Sequence, residues 1–151
     1  MAELIEYEKS VIDLGCGKMW LKEFISNDII YIGVDYVKRD NNTIICNFNN
    51  NEYPTIKADL CFVSGVLEYI IDLNSLVQHL NSICTTIIAS YCSLDVVSDI
   101  EYRCKLGWKN SYTNDELISL FNIAGFNLCK PLISYKQNVI FKFSKSDKYG
   151  V

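Results

Sequence analysis

Two glycines separated by one residue follow a short apolar run near the start of the chain, and an acid ends the next apolar run. The first run is Val11–Leu14, and the turn after it holds Gly15 and Gly17. Glycines let a ligand approach the main chain, and free N–H groups at such a turn can hold an anion. Asp35 follows about twenty residues on, where a carboxylate can accept hydrogen bonds from ribose hydroxyls. These residues together predict a site for a nucleoside with an anionic tail.

Two kinds of nucleotide cofactor use such an arrangement. A dinucleotide needs a third small residue, so that its pyrophosphate fits between the turn and the helix behind it. This chain reads Gly15-Cys-Gly17-Lys-Met-Trp20, and the bulk of Trp20 argues against a nicotinamide-dependent reductase. A smaller anion, such as the carboxylate of an amino acid, needs no such room.

Alternating strand-like and helix-like segments predict how these residues are positioned. Strands are expected at 11–14, 29–34, 43–46, 58–63 and 85–89, and helices at 18–26 and 72–83. Residues 92–112 are partly helical, and a capping box at 113–116 begins a helix that ends near Gly125. Two strands, 126–134 and 138–143, are joined too tightly for a crossover and must be antiparallel. The expected fold is an α/β, Rossmann-like doubly wound sheet, mostly parallel with an antiparallel last strand, and with helices on both faces.

Composition bounds the function. A chain of 151 residues with 50% hydrophobic residues and a net charge of −4 is expected to form one globular domain, residues 1–151. Only Lys38–Arg39 form a basic pair, expected to be a solvated turn, so neither nucleic acid nor an anionic membrane surface is an expected partner. No apolar stretch of about 20 residues predicts a membrane span.

The cysteines bear on metal binding and location. Seven scattered cysteines and one histidine predict no metal site, because zinc needs clustered ligands. Most of the cysteines lie in apolar runs, so we expect reduced, buried thiols and a cytoplasmic location.

Five motifs, in order, resemble those of class I S-adenosylmethionine-dependent methyltransferases of the small-molecule type. They are VIDLGCG at 11–17, IGVD at 32–35, CNF at 46–48, ADLCFVSGVLEY at 58–69 and GF at 125–126. The resemblance covers nearly the whole chain. It implies S-adenosylmethionine as the cofactor and a seven-stranded sheet whose last strand is inserted antiparallel.

The resemblance also implies three groups of cofactor contacts. The group around the methionine part comprises Asp13, Gly15, Cys16 and Gly17. The group around the ribose and adenine comprises Asp35, Tyr36, Asn47 and Phe48. The group at the end of the fourth strand comprises Ser64, Gly65 and Val66.

Three features depart from the family pattern. Met19 stands where the family usually has another glycine, and its side chain is expected to narrow the pocket. Asn47 replaces a common aspartate; its amide can still pair with adenine, but binding is expected to be weaker. The first strand begins near residue 11, so the helices that often precede it and cover the cleft are missing. A second copy of the chain or a partner subunit is therefore expected to complete the active site.

Residues for a methyl acceptor are expected in two places. Tyr69 and Tyr91 follow strands four and five at their carboxyl ends, where ligands bind in open α/β sheets. Arg103, Trp108 and Asn110 lie between strand five and the last helix, and their mixture of groups suits a small polar acceptor such as a saccharide or metabolite.

Two further questions stay open on the sequence alone. A general base is needed only for an acceptor protonated at neutral pH, and Glu68, Tyr91 and Glu101 are equal candidates. The alternative interpretation of the whole chain is a catalytically inactive methyltransferase-like subunit that binds or scaffolds a partner.

Overall fold

In a computed structural model, residues 1–129 and 133–145 are described, and they form one mixed sheet with three α-helices. The strands are β1 (Ser10–Leu14), β2 (Ile30–Asp35), β3 (Ile44–Ile45), β4 (Leu60–Val63), β5 (Thr86–Tyr91), β6 (Phe126–Leu128), β7 (Ile133–Tyr135) and β8 (Asn138–Lys145). The helices are α1 (Leu73–Ile83), α2 (Ile100–Lys105) and α3 (Asn114–Ile123).

The strand order is β3-β2-β1-β4-β5-β8-β6, and β7 also pairs with β8. Strands β1 to β5 pair in parallel with one another, whereas β8 runs antiparallel to β5, β6 and β7. This confirms a mostly parallel sheet with an antiparallel inserted strand. The strand expected over 126–134 is instead two pieces, β6 and β7, along the same edge of β8; residues 130–132 lie outside the described residues.

One face of the sheet is covered by α1 and α3, as their apolar spacing predicts. Leu73, Leu76, Val77 and Leu80 are buried in the main core with Leu117 and Phe121 of α3. Both helices begin at side-chain caps: Asp72 accepts from the Ser75 N–H, and Thr113 and Glu116 form the expected capping box. Such caps each contribute about 1 kcal/mol, so they fix where these helices start behind the sheet.

The opposite face differs from the expectation of helices on both faces. The helix expected over 18–26 is only one 3₁₀ turn, Trp20–Glu23. Residues 18 and 19 cannot belong to it, because Met19 has φ 57°, in the left-handed region. Leu21 of this turn and Leu4 of the N-terminal segment pack with Leu60, Phe62 and Ile88 of the sheet. A short irregular segment thus covers this face of the sheet where a helix was expected.

A buried lysine of β8 fastens the N-terminal segment to this face. Lys142 is 8% exposed, and its Nζ donates to the Leu4 carbonyl at 2.6 Å. The same amine pairs with Glu6 at 3.0 Å and with Glu8 at 3.5 Å. Since a buried cation needs such partners, Lys142 holds residues 4–8 against the sheet.

Across residues 1–129 and 133–145, no helix is both long enough and apolar enough to cross a membrane. In the same ranges, no three His, Cys, Asp or Glu side chains are grouped so that they could hold a metal ion.

We expect Lys142→Met to lower the free energy of unfolding by about 2 kcal/mol, because it leaves the Leu4 carbonyl and Glu8 without their buried partner. Urea unfolding followed by circular dichroism measures the change. The control is Lys57→Met at an exposed position, which should stay within about 0.5 kcal/mol of the parent. Equal effects of the two variants would contradict an anchoring role for Lys142.

Candidate functional site

A cavity of about 540 Å³ lies at the carboxyl ends of the parallel strands. The residues expected at the cofactor that line it are Gly15, Gly17, Asp35, Tyr36, Asn47, Phe48, Gly65 and Val66. Arg39, Tyr69 and Lys109 also border it. We call this space the first cavity.

A second cavity, of about 630 Å³, lies on the other side of the glycine turn. Gly15 and Gly17 line both spaces, so the turn is their common wall. The remaining expected cofactor residues, Asp13, Cys16 and Ser64, line this second cavity, as do Trp20, Phe24 and Phe62. A third cavity, of about 480 Å³, adjoins the second at Ser64 and is lined by Ser90, Ser134, Tyr135 and Asn138.

The glycine turn owes its shape to positive backbone angles and to a close neighbour. Gly15 has φ +70°, and a Cβ built on it would lie 2.4 Å from Val66 Cγ2. Gly17 has φ +51°, and a Cβ there would face open space, its nearest neighbour being the Gly15 carbonyl at 3.9 Å. Residue 15 must therefore be glycine for packing, whereas residue 17 leaves the main chain bare towards the first cavity.

Met19 and Trp20 leave the first cavity open. Gly15 and Gly17 are among the described residues that line this cavity, whereas Met19 and Trp20 are not. The expectation that Met19 narrows this space is therefore wrong. Its φ of 57° shows instead why a glycine suits this position: the backbone here is left-handed whichever residue stands in it.

Asp35 is the most highly connected polar group of the site, although it is only 2% exposed. Its Oδ2 accepts from the Gly17 N–H at 2.9 Å, and its Oδ1 accepts from the Val37 N–H at 3.2 Å. Burial alone would raise the pKa of Asp35, but these donors and the Arg39 guanidinium hold it below its ordinary value. Asp35 is consequently a charged acceptor at neutral pH.

Arg39 forms a two-pronged ion pair with Asp35, which corrects the expectation of a solvated Lys38–Arg39 turn. Its Nε donates to Oδ2 at 3.0 Å and its Nη2 to Oδ1 at 3.3 Å. No periodic pattern in the sequence signals this pair, because the four-residue spacing lies in a loop rather than a helix. The chain turns after Asp35, the last residue of β2, and this turn brings the two side chains together.

The other end of the first cavity is apolar with an amide at its edge. Phe48 is buried, and Tyr36 is 67% exposed at the rim. The Asn47 Oδ1 accepts from the Asn49 N–H at 3.1 Å and thereby caps the one-turn helix Phe48–Asn50. One acceptor position of Asn47 is therefore used within the loop, which supports weaker pairing to a base at this point.

Asp13 borders the second cavity and is perturbed by its surroundings. It is 5% exposed and accepts a hydrogen bond from the Tyr31 hydroxyl at 2.6 Å. Burial raises the pKa of Asp13 to about 6; the Tyr31 hydrogen bond opposes this, and the charge of Asp35 adds to it. The contact of Tyr31 with Asp13 could not be predicted from the sequence, because Tyr31 lies inside a β-branched run that predicts only a strand.

Two of the five residues expected to bind a methyl acceptor lie in the interior of the fold. Tyr91 is fully buried and Arg103 is 1% exposed. The Arg103 guanidinium donates to the Cys92 carbonyl at 2.7 Å and to Ser111 Oγ at 2.9 Å, and to the Tyr91 hydroxyl at 3.2 Å. Burial thus contradicts direct acceptor contact by Tyr91 and Arg103.

Asn110 and Trp108, which are half-buried, extend this cluster towards the surface. Asn110 accepts from the Tyr91 hydroxyl at 2.7 Å and donates to the carbonyls of Leu67 and Ile70. The Trp108 ring lies 4.7 Å from the Arg103 guanidinium. The cluster joins the loop after β4 to the segment after β5. Tyr69, in contrast, is 45% exposed and lines the first cavity.

Glu68 belongs to the same interior region. Its Oε1 accepts from the Cys92 N–H at 2.8 Å, while Oε2 is buried with no hydrogen-bond partner among the described residues. Burial raises the pKa of Glu68. Glu101 lies on the exposed side of α2 and pairs with Lys105 at 2.8 Å. Neither carboxylate borders the three cavities described above.

The strand order, the inserted antiparallel strand and the glycine turn at the end of β1 define the class I methyltransferase fold. Solved methyltransferase structures share it, although no family model and no curated protein matches the sequence.

Three of these structures illustrate the likeness. A chain of the complex between the Haloferax volcanii Trm112 methyltransferase activator and a methyltransferase superposes with a TM-score of 0.73 and 11% identity, covering 98% of this chain and 86% of that one. Magnesium protoporphyrin IX methyltransferase from Synechocystis PCC 6803, with bound S-adenosylhomocysteine, gives 0.69 and 15%, covering 90% and 74%. An S-adenosylmethionine-dependent methyltransferase from Mesorhizobium loti gives 0.71 and 13%, covering 90% of each chain.

We expect Gly15→Ala to destabilise the protein more than Gly65→Ala does, by at least about 1 kcal/mol in the free energy of unfolding. Both glycines have positive φ, but a Cβ at Gly65 meets nothing within 4 Å, whereas one at Gly15 meets Val66. Urea unfolding of both variants gives the difference. The double variant Gly15→Ala/Val66→Ala should recover part of the loss, and equal losses in the two single variants would contradict the contact.

We expect Asp13→Asn to remove a pH dependence of stability. Because the folded pKa of about 6 lies above the ordinary 3.8, the native state loses stability as pH rises from about 4 to about 6, by about 2–3 kcal/mol. The asparagine oxygen can still accept from Tyr31. Urea unfolding from about pH 4 to about pH 7.5 should therefore show the free energy of unfolding of the variant rising relative to that of the parent as pH rises. A constant difference between the two proteins would show that the pKa of Asp13 is not raised by folding.

Proposed function

We propose that the chain, residues 1–151, is a single-domain S-adenosylmethionine-dependent methyltransferase that acts on a small polar acceptor such as a saccharide or metabolite. The observation that carries the proposal is the hydrogen bond from the Gly17 N–H to the buried Asp35 carboxylate, at 2.9 Å. It sets a ribose acceptor directly beside a bare main-chain turn. Structures of the same fold have been solved with S-adenosylhomocysteine or S-adenosylmethionine, which supports this choice of cofactor.

The residues of the two cavities fit the parts of that cofactor. Tyr36, Phe48 and Val66 provide apolar surface for adenine, with Asn47 at its edge. Asp35 would accept from the ribose hydroxyls. The open space at Gly17 leaves room for the chain to cross from the first cavity to the second.

The amino-acid part would then lie in the second cavity. Asp13 offers a carboxylate to the ammonium group, and Cys16 and Ser64 border the same space. When bound, the cofactor supplies a methyl group that its sulfonium already activates. What remains for the protein is to align the acceptor with that methyl and exclude water, and such alignment can contribute about 7–11 kcal/mol.

A polar acceptor is supported by the third cavity, which adjoins the second at Ser64. Hydroxyl and amide groups of Ser90, Ser134, Tyr135 and Asn138 line it. The cluster of Arg103, Tyr91 and Asn110 acts on the acceptor site indirectly, because Asn110 donates to carbonyls of the loop that follows β4. A hydroxyl acceptor would also need a general base, and burial argues against Glu68 and Tyr91 in that role.

We further propose that a second copy of the chain or a partner subunit completes the active site. Trp20 and Phe24, at the rim of the second cavity, are 63% and 72% exposed. The Haloferax volcanii structure, a complex of a methyltransferase with its activator, supports a partner of this kind. Light scattering across a concentration series tests self-association.

A second candidate function, an inactive binding subunit, is favoured by one observation. Both oxygens of Asp35 are engaged by Arg39, so the ribose acceptor is already satisfied without a ligand. An inactive subunit would release no S-adenosylhomocysteine from S-adenosylmethionine with any acceptor. Product formation with a panel of sugars and hydroxylated metabolites separates the two functions.

Calorimetric titration with S-adenosylhomocysteine and S-adenosylmethionine tests the proposed cofactor. We expect binding by the parent protein and at least about tenfold weaker binding by Asp35→Ala, because the ribose loses its charged acceptor. The matched control is Asp28→Ala, which removes an exposed acid just before β2 and should bind the cofactor like the parent. The absence of heat at millimolar cofactor would exclude the enzyme.

A further inference from the structure

All the acceptor positions of the Asp35 carboxylate are in use. A carboxylate offers about four lone-pair positions, and Asp35 receives four donors: the N–H groups of Gly17 and Val37, and Nε and Nη2 of Arg39. A ribose that donates two hydroxyls to this carboxylate needs two of those positions. One pair of donors must leave before the ribose can bind.

The two pairs of donors differ in mobility. The Gly17 and Val37 N–H groups belong to the main chain next to β1 and β2, and moving them would disturb the sheet ends. Arg39 reaches Asp35 through a long side chain that is 34% exposed, whereas the Asp35 side chain is 3% exposed. The guanidinium can therefore swing into solvent while the carboxylate stays in place.

We propose that Arg39 is an internal competitor of the cofactor, which occupies the two ribose positions of Asp35 in the free protein and is displaced when the ribose binds. This inference rests on the proposed function, since it requires a ribose-containing ligand in the first cavity. Arg39 keeps the buried carboxylate paired in the free protein, and it lowers the affinity for the ligand by the free energy needed to break the pair.

The competition has a signature in salt dependence. Salt weakens the pair of Arg39 and Asp35 through the 34% exposed Arg39 side chain, although less than it would weaken a fully exposed pair. Hydrogen bonds to an uncharged ribose are largely unaffected by salt. Affinity for an uncharged nucleoside should therefore rise with ionic strength in the parent protein. A ligand held by Arg39 would show no such rise.

The probe is 5′-methylthioadenosine, which has adenine, the ribose diol and the thioether but no charge at neutral pH. We expect Arg39→Gln to bind it at least about fivefold more tightly than the parent. The affinity of the variant should also not rise between about 0.05 and about 0.5 M salt, as that of the parent does. Arg39→Lys keeps the charge without the planar fork and should fall between the two.

Lys38→Gln is the matched control, since it removes the same charge from the neighbouring exposed residue and should bind like the parent. Circular dichroism confirms that each variant is folded before titration.

The outcomes separate the two proposals. Equal affinity of the parent and Arg39→Gln would overturn the competition and leave the proposed function standing. Weaker binding by Arg39→Gln would show that Arg39 holds the ligand, which also overturns it. If neither protein binds the nucleoside, S-adenosylhomocysteine or S-adenosylmethionine, the proposed function fails and the competition fails with it.

Discussion

The hydrogen bond between the Gly17 N–H and the Asp35 carboxylate is the constraint on which the site depends. It ties the turn after β1 to the end of β2, and the Gly15 and Cys16 N–H groups reinforce the link by donating to the Val34 carbonyl at 2.8 and 3.0 Å. One buried carboxylate thus shapes the turn and presents charge to the cavity beside it. Any ligand of the first cavity meets a surface that β1 and β2 have already built.

The parts of the fold that follow from local rules could be predicted from the sequence. Apolar spacing places the parallel strands and α1, and the caps at Asp72 and Thr113 follow from their own side-chain hydrogen bonds. The helix over 18–26 could not be predicted correctly, because the left-handed backbone at Met19 is dictated by the turn and its contacts rather than by helix propensity. Tertiary contacts override a local preference there.

The candidate site divides in the same way. The glycines and Asp35 were predictable, since strand ends and glycine turns have a fixed meaning in open α/β sheets. The interior position of Arg103 was not, because a charged residue in a mixed segment looks exposed until the fold supplies neutral acceptors for every guanidinium N–H. The ion pair of Arg39 could not be predicted either, because its partner Asp35 lies four residues earlier along a loop and not along a helix.

Lys142 and β8 also bear on the order of assembly. The amine on this strand bonds the Leu4 carbonyl, 138 residues earlier in the chain, and β8 itself fills the space between β5 and β6. During synthesis the ribosome must release almost all of the described chain before either contact can close. Until then β5 presents an unpaired edge, so this topology favours slow folding and exposes the nascent protein to misassociation through that edge.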